Sequence, residues 1–365
     1  MTFSIARNKT RKITIGSIQV GGDAPITVQS MTNTKTHDVG ATVHQIQRLE
    51  EAGCEIIRVA VPDEKAVKAI ADIKKNISIP LVADIHFDFS LAIAAAKAGA
   101  DGLRINPGNI GSKKKVAEVA ACAKDHCIPI RIGVNAGSLE KPLLQKYGGA
   151  TAKAMVESAF GHVNLLLENN FDQIKISLKA SDVPRTIAAY RLLAGKVDYP
   201  LHVGITEAGS LYTGIVKSAM GIGMLLAEGI GDTIRVSLTR DPVEEVRVGY
   251  EILKGLAIRQ RGPQIISCPT CGRCDLDLVD MVSQVDDALA NIKTPIKVAV
   301  MGCVVNGPGE AKEADIGIAG GKGKGILFKK GKIINIIPHN ILVQTLLSEV
   351  QKFTGELPNY SKTRK

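Results

Sequence analysis

The chain has 365 residues, 45% of them hydrophobic and only 4% aromatic, with seven cysteines and a formal charge of +10 from 46 Lys and Arg against 36 Asp and Glu. Few aromatic rings and no tryptophan argue against a base-stacking platform for single-stranded nucleic acid; without an apolar leader or a run of about 18 apolar residues, a soluble, cytoplasmic protein is expected. The excess of cations asks for an anionic partner, and an odd number of cysteines points to metal binding or catalysis rather than disulfides.

In chain order, residues 1 to about 25 read as an N-terminal hairpin or cap. Eight short runs rich in Val, Ile and Leu come next: ITVQSM (26–31), EIIRVAV (55–61), PLVADI (80–85), GLRIN (102–106), PIRIGVN (129–135), QIKISL (173–178), PLHVGI (200–205) and TIRVSL (233–238). Helical patterns such as 41–53 and 241–260 separate them, many ending near a glycine as a C-cap requires. Eight alternating strand and helix units predict an α/β fold, a (β/α)8 TIM barrel over residues 1–262. An open doubly wound sheet would carry a glycine fingerprint after its first strand, and TNTKTHD stands after ITVQSM instead.

Residues 263–365 predict a small α+β domain with a strand at 297–302 and an amphipathic helix around 339–353. GGKGKG lacks the Ser or Thr after Gly-Lys and the earlier glycine of a phosphate loop, so it reads as a hairpin.

Four strand runs place an arginine alike (Arg58, Arg104, Arg131 and Arg235), and a fifth places Lys175. Cations inside parallel strands are costly unless paired. Single ones are explained by a neighbouring carboxylate; five together predict a pocket at the C-terminal ends of the strands, where barrel sites are built. Arginine forks suit a multiply charged phosphate ester, whereas nucleic acid wants its cations along an outer face. The loops after the strands add Asp84, His86, Asn106, Asn135, Lys179 and Glu207. Glu207 is expected to donate a proton or anchor substrate, with a helix N-cap as the structural alternative. Cys54, Cys122 and Cys127 are expected to be small core residues.

The tail holds CPTCGRC, with Cys268, Cys271 and Cys274. Zinc and an iron-sulfur cluster would each use such thiols. A zinc ribbon wants a second C-x-x-C some 15 to 20 residues on; the next cysteine is instead the single Cys303, in MGCVVNGPGE, with Glu310 seven residues after it. Glycine-rich turns let backbone N–H groups approach cluster sulfurs.

CPTCGR together with MGCVVNGPGEA resembles the 4-hydroxy-3-methylbut-2-en-1-yl diphosphate synthase family of the non-mevalonate isoprenoid route. The resemblance continues through VQSMTNT, RVAVP, LVADIHFD, LRINPGNIG, IRIGVNAGSLE, GITEAG and EGIGDTIRVSL, nearly the whole chain. It implies a 4Fe-4S cluster held by Cys268, Cys271, Cys303 and Glu310, with Cys274 outside the ligand set, and flavodoxin or ferredoxin as electron donor. Implied too are a cyclic diphosphate substrate bound by His86, Arg58, Arg104, Arg131, Asn135, Lys175 or Lys179, and Arg235, with Glu207 and Glu310 as catalytic residues. A head-to-tail homodimer with a shared site is expected, because the last barrel helix returns the chain to the face opposite the site. Two other classes are weighed beside it: a barrel synthase of the pterin-binding kind with a structural zinc tail, and a basic nucleic-acid-binding protein with a zinc module.

Overall fold

In a computed structural model, residues 5–106, 110, 112–271, 274, 276–303, 309, 311–321 and 323–360 are described. The chain divides into two compact units, Met1–Arg259 and Gln260–Lys365.

The first unit opens with an antiparallel hairpin, β1 (Ile13–Ile15) and β2 (Ile18–Val20). Ile13, Ile15 and Val20 pack on Ile56 and Val82, so the hairpin covers the N-terminal end of neighbouring barrel strands. Then come β3 (Thr27–Met31), α1 (Val39–Ala52), β4 (Ile56–Ala60), α2 (Glu64–Lys75), β5 (Leu81–Asp84), α3 (Phe89–Lys97), β6 (Gly102–Ile105), α4 (Lys113–Asp125) and β7 (Ile130–Asn135). Short α5 (Lys141–Tyr147) precedes α6 (Ala152–Leu167); β8 (Ile174–Lys179), α7 (Val183–Ala194), β9 (His202–Val203), α8 (Leu211–Ala227), β10 (Thr233–Ile234) and α9 (Pro242–Gly255) complete the unit. All eight apolar runs of the sequence are barrel strands.

The strands are parallel in the order β8-β7-β6-β5-β4-β3-β10-β9, and a bridge between Ile176 and Leu201 brings the two edges together. Aspartates start many of the helices: the carboxylates of Asp38, Asp63, Asp88, Asp182 and Asp241 accept from first-turn backbone N–H groups of α1, α2, α3, α7 and α9. Each satisfies a donor that the helix itself cannot. The apolar faces of strands and helices merge into one continuous core.

The second unit holds β11 (Pro263–Ser267), α10 (Leu278–Leu289), β12 (Ile296–Met301), β13 (Ile316–Gly320), β14 (Lys324–Lys329), β15 (Lys332–Pro338) and α11 (Leu342–Thr354). Its sheet runs β11-β12-β13-β14-β15, parallel as far as β13 and antiparallel beyond. The glycine-rich segment is therefore a hairpin, as expected. No helix among the described residues is long and apolar enough to cross a membrane.

Cys54 and Cys122 are buried, as their helical setting predicts, and burial pushes the Cys54 thiol up to about 12, which leaves it inert. Cys127 is a correction. It is exposed, at a φ of 54° in the turn after α4, because the helix ends before it and the chain reverses toward β7.

Candidate active site

Side chains alternate across a strand, so positions two apart share a face. On the barrel's inner face this sets Arg58 on β4, Asp84 on β5, Arg104 on β6, Arg131 on β7, Lys175 and Lys179 on β8, and Arg235 just after β10. In register, Asp84 stands beside Arg104, Arg104 beside Arg131, and Arg131 beside Lys175. Arg104, Arg131, Lys175 and Lys179 are all buried.

Two carboxylates answer three of these cations. Arg104 Nη1 donates to Asp84 Oδ1 at 3.1 Å, and Arg58 Nε lies 3.4 Å from Asp84 Oδ2. Arg235 Nη2 reaches Glu245 Oε2, on α9, at 3.2 Å; the same carboxylate accepts from the N–H of Leu238 and from Ser30 Oγ. The carboxylate explanation of a strand arginine therefore holds for Arg58, Arg104 and Arg235. It does not extend to Arg131, Lys175 or Lys179, none of which has a salt bridge among the described residues. Among the described residues, Arg131 Nε and Nη1 and Lys175 Nζ are fully enclosed without a hydrogen-bond partner, as are Nε of Arg104 and of Arg235.

This imbalance sets the electrostatics. Burial alone would raise the Asp84 carboxyl, but Arg58, the His86 hydrogen bond, Arg104 and Arg131 outweigh it and hold the group far below the carboxylate range. Burial draws Arg58 down to about 10 against the pull of Asp84, which still leaves it protonated at neutral pH. Burial and the neighbouring guanidiniums lower Arg131, Lys175 and Lys179 well below their ordinary values. Several buried basic groups on the barrel's inner face, without a salt bridge among the described residues, favour a multiply charged anion.

Residues not singled out from the sequence make room for these cations. A Cβ on Gly133 would lie 2.5 Å from Arg104 Nε, and one on Gly204 would lie 2.7 Å from Lys179 Nζ. The Met31 thioether accepts from Arg58 Nε at 3.1 Å and from Nη2 at 2.9 Å. Glycine in IRIGV and LHVGI was the available signal, since a strand interior otherwise prefers a branched side chain.

At the rim, His86 Nε2 stands 3.7 Å from Asp84 Oδ2 with its ring largely exposed. Asn135 ends β7 in register with Lys179. Asn106, just beyond β6, is buried. Glu207 is exposed in the bend after β9, at a φ of 51° that non-glycine residues seldom adopt. It is not the cap of α8; Ser210 holds that position.

In the second unit, Cys268 comes directly after β11 and Cys303 lies two residues past β12, so adjacent parallel strands carry both to one end of the sheet. Cys268 Sγ accepts from the N–H of Gly302 at 3.3 Å, and a Cβ on Gly302 would lie 2.7 Å from Cys274 Sγ. Cys268, Cys274 and Cys303 are half-buried and Cys271 is exposed. Backbone N–H groups directed at cysteine sulfurs are what cluster thiolates need, and the donor set fits such a group. Among the described residues no three potential ligands yet stand close enough to hold a metal. Glu310, the expected carboxylate ligand, lies outside the described residues.

The GcpE TIM-barrel domain matches residues 10–250, and the GcpE protein C-terminal domain matches residues 264–352. The chain is 61% identical over 348 residues to 4-hydroxy-3-methylbut-2-en-1-yl diphosphate synthase (flavodoxin) of Geobacter sulfurreducens, covering 95% of this chain and 99% of that one. To the protein of that name from Thermodesulfovibrio yellowstonii it is also 61% identical over 348 residues, 95% of this chain and all of the other. A solved dihydropteroate synthase from Stenotrophomonas maltophilia superposes with a TM-score of 0.49 at 12% identity, over 67% of this chain and 98% of that one, too remote to bear on function. With both of its units matched, the chain belongs to the GcpE family.

Proposed function

We propose that the protein is an iron-sulfur oxidoreductase of isoprenoid biosynthesis. It converts 2-C-methyl-D-erythritol 2,4-cyclodiphosphate to (E)-4-hydroxy-3-methylbut-2-enyl diphosphate, with flavodoxin as electron donor. The reaction consumes two electrons and two protons: the ring C–O bond to phosphate breaks, a carbon–carbon double bond forms, and a hydroxyl leaves as water. The observation that carries the reading is the barrel interior, where among the described residues Arg131, Lys175 and Lys179 have no salt bridge beside the paired Arg58, Arg104 and Arg235. A cyclic diphosphate supplies the missing negative charge, and guanidinium forks grip it by paired hydrogen bonds.

Cys268, Cys271, Cys303 and Glu310 would hold a 4Fe-4S cluster, which supplies electrons and a Lewis-acidic iron whose carboxylate ligand exchanges more readily than a thiolate. In the barrel, Arg58, Arg104, Arg131, Lys179 and Arg235 bind and orient the diphosphate, with Asn135 and His86 at its rim. Glu207 delivers the proton that departs with the hydroxyl, and its strained backbone suits a loop held in place for that task. The reading includes a head-to-tail homodimer. In that dimer each barrel mouth takes its cluster from the partner chain, since α9 ends at the face opposite the mouth.

Protein purified without air should contain about four irons and four sulfides per chain, and with reduced flavodoxin should release the open diphosphate, detected by mass spectrometry. Iron-loaded protein that leaves the cyclodiphosphate intact under those conditions would overturn the assignment.

A further inference from the structure

Lys175 lies four residues before Lys179 on β8, on the same inner face but about 13 Å deeper along the strand. It is 3% exposed, and its Nζ has no hydrogen-bond partner among the described residues. Its register neighbour on β7 is Arg131, 4% exposed. Charged and titratable groups face it from several strands. Arg131 of β7 and Arg58 of β4 repel a proton on its amine, and Asp232, just before β10, attracts one. Asp232 is already engaged, since it accepts from Arg7 Nη2, Thr10 Oγ1 and the N–H of Leu201 at 2.8 to 2.9 Å. His202 of β9 is buried, bonded through Nδ1 to Thr233, and held neutral by burial and by the neighbouring Lys179 and Arg131. Asp84 serves Arg58 and Arg104.

A cavity of about 10 Å³ touches Lys175, Arg131 and Gln29. That is room for one water molecule and not for a counter-ion. An ammonium here would stand enclosed beside a guanidinium with no anion in contact, and its neutral form is preferred. Negative charge can reach this level only from above, in the barrel mouth.

We infer that Lys175 is an uncharged amine while the mouth is empty and takes up one proton from solvent when a diphosphate settles among Arg58, Arg104, Arg131 and Lys179. The proton adds to the Nζ lone pair and no other bond changes. Lys175 is thus a positioning residue behind Arg131: its charge appears only when an anion is present to share it. Burial and Arg131 lower the proton affinity of the empty state, and the ligand restores it, so binding strengthens as pH falls through the window between the two states. The inference rests on the diphosphate reading of the cation ring.

The test is calorimetric titration of the full-length holoenzyme with inorganic pyrophosphate at about pH 8, in buffers of differing ionisation enthalpy. Wild type should take up about one proton per site more than Lys175→Met, the proton exchange of pyrophosphate itself cancelling between them. Lys175→Arg, which cannot lose its charge, should show no excess either. Equal uptake in all three proteins overturns the inference. Should neither variant fold, the Nζ resonance of 15N-lysine-labelled wild type decides: a shift from the amine to the ammonium range on adding pyrophosphate is expected, and ammonium in both states refutes it. Failure of wild type to bind pyrophosphate at all would remove the diphosphate reading, and this inference with it.

Discussion

Gly133 and Arg104 share one volume of the barrel: a Cβ on the glycine would stand 2.5 Å from the arginine Nε and 2.8 Å from its Nη2. Arg104 reaches Asp84 and the carbonyl of Gly133 by crossing the space that a side chain would fill. Gly133→Ala should therefore displace the guanidinium rather than the backbone, because the group that must give way is the far end of a flexible side chain. The expected result is pyrophosphate affinity lowered by roughly tenfold, about one charged hydrogen bond, with an unchanged circular dichroism spectrum. Wild-type affinity in Gly133→Ala would show that Arg104 does not touch the ligand.

Arg131 and Asp84 should respond in opposite ways to removal. Arg131→Leu takes away a buried cation without orphaning an acid, so the melting temperature should hold or rise while pyrophosphate binding weakens by about 1.5 to 3 kcal/mol. Asp84→Asn leaves Arg58 and Arg104 facing each other unneutralised and should destabilise the fold by about 3 to 5 kcal/mol. The Asp84 carboxyl is depressed in the folded state. Its contribution is thus complete above the unfolded value of about 3.9 and is lost as pH falls below that toward the folded value. Denaturation curves at about pH 7 and pH 3 should show the wild-type advantage over Asp84→Asn shrinking at the lower pH. A constant difference would mean that Asp84 acts through packing alone.

The barrel was legible because parallel strands buried on both faces spell continuous apolar runs, and the arginines stood out because they interrupt those runs at like positions. Their partners were not legible. Glu245 lies on α9, Met31 on the first barrel strand, and Gly133 two residues beyond Arg131, the register neighbour of Arg104; helix packing and strand register bring them to the cations. Lys175 and Lys179 were equivalent in sequence since positions four apart in a strand share a face; depth in the barrel separates them. Cys127 was misread because its place beside a helix says nothing of the left-handed turn that carries it outward.

The cysteines make a separate prediction. Cys268→Ser, Cys271→Ser and Cys303→Ser should each lose the iron and sulfide of protein purified without air, and Cys274→Ser should keep most of both. Cys274 Sγ packs against Gly302, one residue before Cys303, so its removal loosens the wall of the site without subtracting a ligand. If Cys274→Ser lost its iron while Cys303→Ser kept it, the ligand set would have to be redrawn around Cys274.

A site completed by two chains predicts complementation. Glu207→Gln spoils the barrel and spares the cysteines; Cys271→Ser spoils the cluster and spares the barrel. Each homodimer should be inactive. In a mixed dimer carrying two different tags, a head-to-tail arrangement sets the intact barrel of the Cys271→Ser chain against the intact cluster of the Glu207→Gln chain, while the second site receives both lesions. Activity should therefore return toward half that of wild type. If each chain instead used its own cluster, each site would keep one lesion and the mixed dimer would be as inactive as its parents. Iron content of the purified heterodimer must first show one loaded cluster, because an empty one would silence either arrangement. With that cluster loaded, an inactive heterodimer means that the site is built within a single chain, and the argument from the direction of α9 fails.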